Sequence, residues 1–453
     1  MAGSKLFNSL MHAAEGQNAR VLLVGDTRQL GSVEAGRAFA QLQENVKTFR
    51  LETILRQQNS QLRDAVESAY AGRAAEALQN ISAQGGVIQI SNPGGDRLAG
   101  LEQRAQAISS AFLALPPAER EGTIVIAPGL DDRQTINSMI RQGLVSEGTV
   151  HEQGFQATAL NRQNLTKSQI RSSRSYQPGN VVRFSRTYAK HGVTKGSYWT
   201  VTRVDGKSVL LSRGELTLAW QPSKMSKVEV YQGVNREVAQ GDKIVFTRNA
   251  PHDAIVNGET ARVNSIDPKN GQAAVTLKNG QTIDVNLAHF KHWNHCYAVT
   301  THQAQGSTAD RALIHAESHR PILTNQKSFY VAISRAKNAV QVFTDNLGKL
   351  SEGLHLRSGE KEIALEVRRR LDSPDENIDH RRSEERPIRP RQERATAADP
   401  QGGRGSEAGR SSGRGAESGR SGGPSGAPGG RSGGRGSGSG PGGGAGGGGS
   451  RGR

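Results

Sequence analysis

Tyr297-Ala298-Val299-Thr300-Thr301-His302-Gln303-Ala304-Gln305-Gly306-Ser307-Thr308 is a short apolar run that passes into a turn dense in hydroxyls, amides and glycine. That pattern suits a buried parallel strand whose carboxyl end presents polar groups to a ligand. Such a turn offers side chains and N–H groups to phosphates or to a sugar–phosphate backbone. His302 invites a metal or acid–base role, but no second His or carboxylate lies at ligand spacing, so no metal site is expected.

Three other segments surround this one in the chain. Phe329-Tyr330-Val331-Ala332-Ile333-Ser334-Arg335-Ala336-Lys337 puts a cation at the end of a buried helix or strand. An Arg buried without an anion is costly, so Arg335 is expected to face a cleft. Val21-Leu22-Leu23-Val24 reads as a second buried parallel strand, ending in Gly25-Asp26-Thr27-Arg28-Gln29-Leu30. Gln29 then lies on a loop where α/β proteins bind ligands, although an ordinary strand-to-helix loop has the same look. Leu51-Glu52-Thr53-Ile54-Leu55-Arg56-Gln57 ends in an Arg that, alone, reads as a surface or helix-end cation.

Between these lie helices and strands that alternate. Helices are expected over 34–43, from a cap at Asn59 or Ser60 to Gly72, over 98–115 up to Pro116-Pro117, and from a cap at Asp131 to Leu144. Thr123 to Ala127 and Val340 to Thr344 read as strands, and 362–371 as a short amphipathic helix. From about 176 to 290 the period shortens to that of β-strands, with turns at Asp205-Gly206, Asn257-Gly258 and Asn279-Gly280. One or two small β-barrel modules are expected there. Two stretches open alike, Pro178-Gly179-Asn180-Val181-Val182-Arg183-Phe184 and Gln240-Gly241-Asp242-Lys243-Ile244-Val245-Phe246, a weak internal repeat.

Taken in order, the four segments resemble the later motifs of superfamily 1 DNA helicases of the RecD-like branch. Gly25 to Leu30 with Val33-Glu34-Ala35-Gly36 resembles motif III, Arg56-Gln57 motif IV, Thr300 to Thr308 motif V and Tyr330 to Lys337 motif VI. The run at 34–39 and Thr308-Ala309-Asp310 are most similar to the helicase part of conjugative relaxases of the TraI/TrwC (MobF) type. The resemblance implies an α/β fold: RecA-like parallel-sheet domains, a β-rich SH3-like insertion and a disordered Gly/Arg-rich tail. It implies ATP with Mg2+ as cofactor, contacted by Gly25, Asp26, Gln29, Arg56, Gln305, Gly306 and Arg335. Gln29 would position the attacking water, and Arg56 and Arg335 would be arginine fingers on the transferring phosphoryl group. Thr301, His302, Ser307 and Thr308 would touch single-stranded DNA. Trp199, Trp293, Tyr198 and Phe246 are candidates for base stacking, with core packing the competing role.

The sequence departs from that family in one respect. A P-loop and a following Asp-Glu pair are needed to cradle phosphates and hold Mg2+, and neither occurs. Gly206-Lys207-Ser208 is nearest, but Asp205-Gly206 reads as a hairpin turn with no helix after it, and Asp375-Glu376 lies in the tail. The expectation is a C-terminal portion of a conjugative helicase, lacking its ATP-binding strands and relaxase domain, that translocates on DNA only with that missing half. The alternatives are a non-enzymatic single-strand-binding or relaxosome-scaffold module and a truncated remnant. Relaxosome proteins and a type IV secretion coupling protein are the further partners implied. The expected bounds are 1–85 for a first RecA-like remnant with motifs III and IV, 86–175 and 291–372 for the second RecA-like domain, 176–290 for the insertion and 373–453 for the tail.

Composition agrees with these classes. The 453 residues carry a formal charge of +17, which favours a polyanionic partner. Part of that excess is local: from 381 onward 14 Arg face 6 acidic residues. Of 55 Gly, 25 lie after 400, and no aromatic follows Phe343, so the tail has no apolar anchors to offset ordering entropy. No run of about 18 apolar residues exists, and Met1 to Leu10 lacks a basic segment before a long apolar core, so neither membrane insertion nor secretion is expected. A single cysteine, Cys296, excludes internal disulfides, and a cytoplasmic setting is expected.

Overall fold

The computed structural model describes residues 3–31, 37–43, 46–51, 53–250, 255–321 and 323–360. In chain order the elements are helices α1 (Ser4–Gly16), α2 (Ala38–Gln43), α3 (Ser60–Tyr70) and α4 (Ala74–Ala83); strand β1 (Val87–Gln89); helices α5 (Arg97–Leu113) and α6 (Pro117–Glu121); strand β2 (Thr123–Ile126); and helix α7 (Leu130–Ser146). A β-rich stretch follows: β3 (Phe155–Arg162), the short helix α8 (Lys167–Arg171), β4 (Asn180–Phe184), β5 (Tyr198–Asp205), β6 (Ser208–Arg213), β7 (Leu216–Trp220), β8 (Val228–Val238), β9 (Lys243–Phe246), β10 (Thr260–Ile266), β11 (Gln272–Leu277), β12 (Thr282–Asn286) and β13 (Trp293–His295). The chain then returns to β14 (Ala298–Val299), α9 (Thr301–Ala304), β15 (Ala309–His315), α10 (Gln326–Ile333), β16 (Ala336–Thr344) and α11 (Leu347–Leu356).

The α/β body is a five-stranded parallel sheet in the order β1-β16-β15-β2-β14. Its strands are apolar on both faces, because helices cover both. Ile126, Ala312, Ile314 and Val342 pack under α3, α4, α10 and α11. Their neighbours Val125, Leu313 and Phe343 point the other way, under α5 and α7. Local capping sets the helix starts: the Asn59 side chain accepts from Leu62 N at 3.1 Å, and Asp96 Oδ1 from Leu98 N at 2.9 Å.

The β-rich stretch forms two antiparallel sheets, β3-β8-β4-β5-β6-β7 and β12-β11-β10-β9-β13, each with its own core. The weak repeat in the sequence is a full structural duplication. In the first copy β4 pairs with β5 (Val182 opposite Trp199) and β8 (Val182 opposite Val230); in the second β9 pairs with β10 (Ile244 opposite Ala261) and β13 (Ile244 opposite His295). Each copy breaks register at an equivalent place, between Val201 and Arg203 and between Val263 and Ser265. Gly179 and Gly241 introduce equivalent strands with φ of 87° and 93°, a left-handed conformation that suits glycine. Their N–H groups donate to Val201 O and Val263 O, both at the bulge.

Four expectations need correction. Val21 to Val24 is not a buried strand: Leu22 and Val24 are 88% and 86% exposed. An all-apolar run becomes a central strand only between neighbours that pair with it, and among the described residues no strand lies beside this one. Helix α7 is capped at Gly129, with Asp131 in its first turn rather than at the cap. The strand expected from Cys296 to Thr301 is only two residues long, since Thr300 already caps α9. The antiparallel region starts at β3, some twenty residues before the change of period, because Phe155 to Arg162 pairs along its whole length with β8. Val33 to Gly36, the helix at 362–371 and the tail lie outside the described residues. Among those described, no helix is long and apolar enough to cross a membrane.

Candidate nucleotide and strand site

The loop after Val24 is organised by Asp26. Its Oδ1 accepts from Arg28 N at 2.8 Å, and its Oδ2 accepts from Gln29 Nε2 at 3.0 Å and from the Tyr330 hydroxyl at 3.1 Å. Gln29 is half-buried and turns its carbonyl oxygen to Gln305, whose Nε2 donates at 3.1 Å. Gly25 is exposed, with the Phe39 ring 3.0 Å from where a Cβ would stand. Gln29 and Gln305, 276 positions apart, thus share one hydrogen bond.

Beneath this pair sits Arg335, at the end of α10 and 1% exposed. It does not face an open cleft as expected. Its Nε donates to Val331 O at 2.9 Å, Nη1 to Ser307 O at 3.3 Å and Nη2 to Ser334 Oγ at 2.8 Å. Neutral acceptors thereby offset part of the desolvation that an unpaired Arg would suffer. Burial, followed by the nearby Arg56 charge, pushes the Arg335 guanidinium down to about 10. Arg56 Nη1 donates to Ser334 O at 2.8 Å, and buried Gln57 donates to Ala336 O at 2.8 Å. Two guanidiniums therefore meet at one turn, Ser334 to Ala336, and together favour an added negative group.

The turn from Thr300 to Thr308 is built by a capping box. Thr300 Oγ1 accepts from Gln303 N at 3.1 Å, and Gln303 Oε1 accepts from Thr300 N at 3.0 Å. This single turn of helix points Thr301 and Ala304 inward, so Thr301 is buried instead of offering its side chain to a strand. His302, Gly306 and Thr308 are exposed. Gly306 takes φ 90°, and Ser307 Oγ donates back to Ala304 O at 2.6 Å.

The aromatic residues that were candidates for base stacking, with core packing the competing role, divide sharply. Trp199 (3% exposed), Trp293 (0%) and Phe246 (0%) fill the cores of the β copies and cannot meet a base. Trp199 is the inward residue of the alternating strand β5, and Phe246 and Trp293 stand opposite each other on β9 and β13; a buried aromatic contributes on the order of 2–3 kcal/mol. Tyr198 is half-buried in a polar joint between the copies. Its hydroxyl lies 2.6 Å from His292 Nε2, and the Arg183 guanidinium sits 5.7 Å from its ring centre.

ATP with Mg2+ is met here only in part. The paired guanidiniums and the buried, unpartnered Gln305 Oε1 suit the phosphate end of such a group. No group of three His, Cys, Asp or Glu among the described residues could hold a metal. The crevice beside Arg28 and Tyr330 has a volume of about 20 Å³, room for roughly one water. The residues present fit the phosphate end of such a group. Sequence reasoning missed Tyr330 and Ser334 as parts of this site. Their spacing of four, Tyr330 on α10 and Ser334 at its C-cap just ahead of Arg335, puts them on one side of the helix and was the available signal.

Residues 1–92 match the family described as an AAA domain, and residues 243–344 match the viral superfamily 1 RNA helicase core domain. The multifunctional conjugation protein TraI of Escherichia coli is 26% identical over 369 residues, covering 72% of this chain and 20% of TraI. The conjugal transfer protein TraA of Agrobacterium fabrum is 23% identical over 346 residues, covering 76% and 24%. The chain thus spans about a fifth to a quarter of the length of these relatives. Among solved structures, Bacteroides Pif1 bound to single-stranded DNA aligns with 79% of this chain and 67% of its own, at 12% identity and a TM-score of 0.37. Pif1 helicase from Candida albicans aligns with 71% and 60%, at 13% identity and a TM-score of 0.34.

Proposed function

The chain is related to the conjugation proteins TraI and TraA and carries a superfamily 1 helicase region, and from that premise we propose that it supplies the arginine-finger and strand-gripping half of an ATP-driven DNA motor used in plasmid transfer. The observation that carries this reading is a chain of contacts: Gln29 with Gln305 of the turn after β14, Arg335 with Ser307 of that same turn, and Arg56 with Ser334 beside Arg335. In the proposed role Arg56 and Arg335 stabilise negative charge on a phosphate presented by another polypeptide segment. Gln305 and Gly306 relay that state to His302 and Thr308, which hold the single strand. When bound, ATP with Mg2+ would supply the phosphoryl transfer; this chain's residues bind and orient its phosphate end. Lacking a P-loop, the chain alone hydrolyses no ATP.

The same reading takes 1–85 as part of a first RecA-like domain, 86–175 with 291–372 as the second, 176–290 as the SH3-like insertion and 373–453 as a tail. Relaxosome proteins and a secretion coupling protein would be its neighbours in a cytoplasmic assembly. A scaffold that only binds single strands is the second reading, supported by charge. The first β copy (178–238) carries 10 Lys and Arg against 4 acids, the second (240–295) 6 against 5. Fluorescence anisotropy with labelled dT30 and with the matching duplex tests both readings: tighter binding to the single strand is expected. Equal affinity for duplex and single strand would overturn the strand-gripping role.

A further inference from the structure

The carboxyl edge of the parallel sheet holds a second site. It lies across the sheet from Arg335, which precedes β16, at a distance of about 30 Å along that strand. Adjacent strands β1 and β16 lead there into helices on opposite faces. After β1, α5 packs with Phe343; after β16, α11 packs with Val342. The crevice outside two such strand ends is where open α/β sheets bind ligands. It contains a cavity of about 340 Å³, at the lower end of the range for small-molecule sites.

The lining is cationic. Arg97 and Lys349 are exposed at its mouth, with Arg357 further in, while the His319 ring lies against Glu317 at 3.2 Å and Asp345 at 3.7 Å. Arg357 Nη1 is shielded from water and has no acceptor. Asn92 Oδ1 is occupied by Arg104 Nη1 at 3.0 Å, which leaves the Asn92 amide N–H groups to donate. Two carboxylates also line it. Asp345 is already satisfied by Ser318 N at 2.6 Å and Ser318 Oγ at 2.8 Å, and Glu352 is exposed on the outer turn of α11. The free donors therefore outnumber the free acceptors. The walls are held firm, since Gln89 Oε1 accepts from Leu347 N at 2.8 Å and ties β1 to α11.

We propose that this crevice between β1 and β16 binds a phosphate ester of nucleotide size, either a free nucleotide or the phosphorylated 5′ end of a DNA strand. The bound phosphate would be held by Lys349 and Arg357, with Asn92 donating from the side. This site goes beyond the nucleotide reading at Arg335 and stands independently of it.

Calorimetric titration of the full chain with inorganic pyrophosphate tests the site, alongside Lys349→Gln/Arg357→Gln and Gly353→Ala. A Cβ on Gly353 would lie 2.7 Å from Arg357 Nη1, so the methyl moves the guanidinium while alanine favours the helix. Both variants are expected to keep the wild-type melting temperature and to weaken pyrophosphate binding by about tenfold or more, one charge-assisted hydrogen bond being worth that factor. Displacement by dTMP but not by 5′-phosphorylated dT10 identifies a free nucleotide as the source. Displacement by 5′-phosphorylated but not 5′-hydroxyl dT10 identifies a strand end. No pyrophosphate binding by the wild type, or equal binding by both variants, would overturn the site.

Discussion

Gln305 Nε2 donates to Gln29 Oε1 at 3.1 Å, and this bond ties the loop after Val24 to the turn after β14. It is one neutral bond, worth about 1 kcal/mol net. A double-mutant cycle of Gln29→Ala and Gln305→Ala should return a coupling near that value. Hydrogen exchange of residues 20–31 should speed up equally in each single variant. Additive losses would mean that the two amides act separately.

Asp242 anchors the second β copy to the α/β body. It is fully buried, accepts from Tyr297 Oη at 2.6 Å and Ala239 N at 2.7 Å, and meets Arg141 Nε at 3.0 Å. Removing the Asp242 charge leaves the largely buried Arg141 with Glu237 alone, at 3.3 Å, and leaves Tyr297 Oη and Ala239 N facing a neutral amide, at a cost of roughly 3 kcal/mol. Asp242→Asn should therefore lower the urea midpoint strongly, whereas Asp205→Asn, on an exposed hairpin, should leave it unchanged. Similar midpoints for the two variants would show that this anchor contributes little.

The joint between the two β copies should also respond to acid. Burial, with Arg248 and Arg183 nearby, pushes His292 down to about 4; burial, with Arg141 and Arg236 nearby, does the same to His295 against the opposing pull of Asp242. Both rings are neutral in the fold and ordinary imidazoles once unfolded, so unfolding takes up protons. Their contribution is complete above about pH 6.5 and is lost as pH falls towards 4. The loss is on the order of 2–3 kcal/mol per ring. Urea midpoints measured from pH 7 to 4 should fall in that window, and less steeply in His292→Gln. A flat profile would mean that the rings are already charged in the fold.

The unequal charge of the two β copies predicts unequal grip on DNA. In the first copy Arg186, Lys190, Lys224 and Lys227 are exposed around Tyr188, whose hydroxyl accepts from Lys227 N at 3.4 Å. Lys224→Glu/Lys227→Glu should weaken single-strand binding and lower its salt slope by about 0.7 for each phosphate no longer neutralised. The same exchange at Lys269 and Lys278 should have little effect. Deleting 381–453, with its 14 Arg, should also weaken binding and flatten the salt dependence. An unchanged slope in that deletion would remove the tail from the interface.

Legibility in the sequence followed how local the determinant was. Asn59, Pro116-Pro117 and Asp205-Gly206 act within a few residues, and the helices and turn they imply are present. Two similar heptads exposed a duplication that extends to matched bulges. Non-local partners were harder to read. The apolar run at Val21 says that burial would be favourable without saying what would cover it. Trp199 was legible in principle, because it alternates with Tyr198 and shares its face with Val201. Arg335 was expected to be near a cleft because the carbonyls that satisfy it, Val331 and Ser307, become its neighbours only after folding.

In the proposed role Arg335 acts on a phosphate held by another polypeptide segment. ATP turnover in the presence of dT30 measures it, first for this chain alone and then for the chain joined to a segment carrying a P-loop and Asp-Glu motif from a related conjugation protein. The account predicts no turnover by the chain alone, turnover by the joined protein, and loss of that turnover on Arg335→Ala. DNA-stimulated turnover by the chain alone, or restored turnover indifferent to Arg335→Ala, would contradict it.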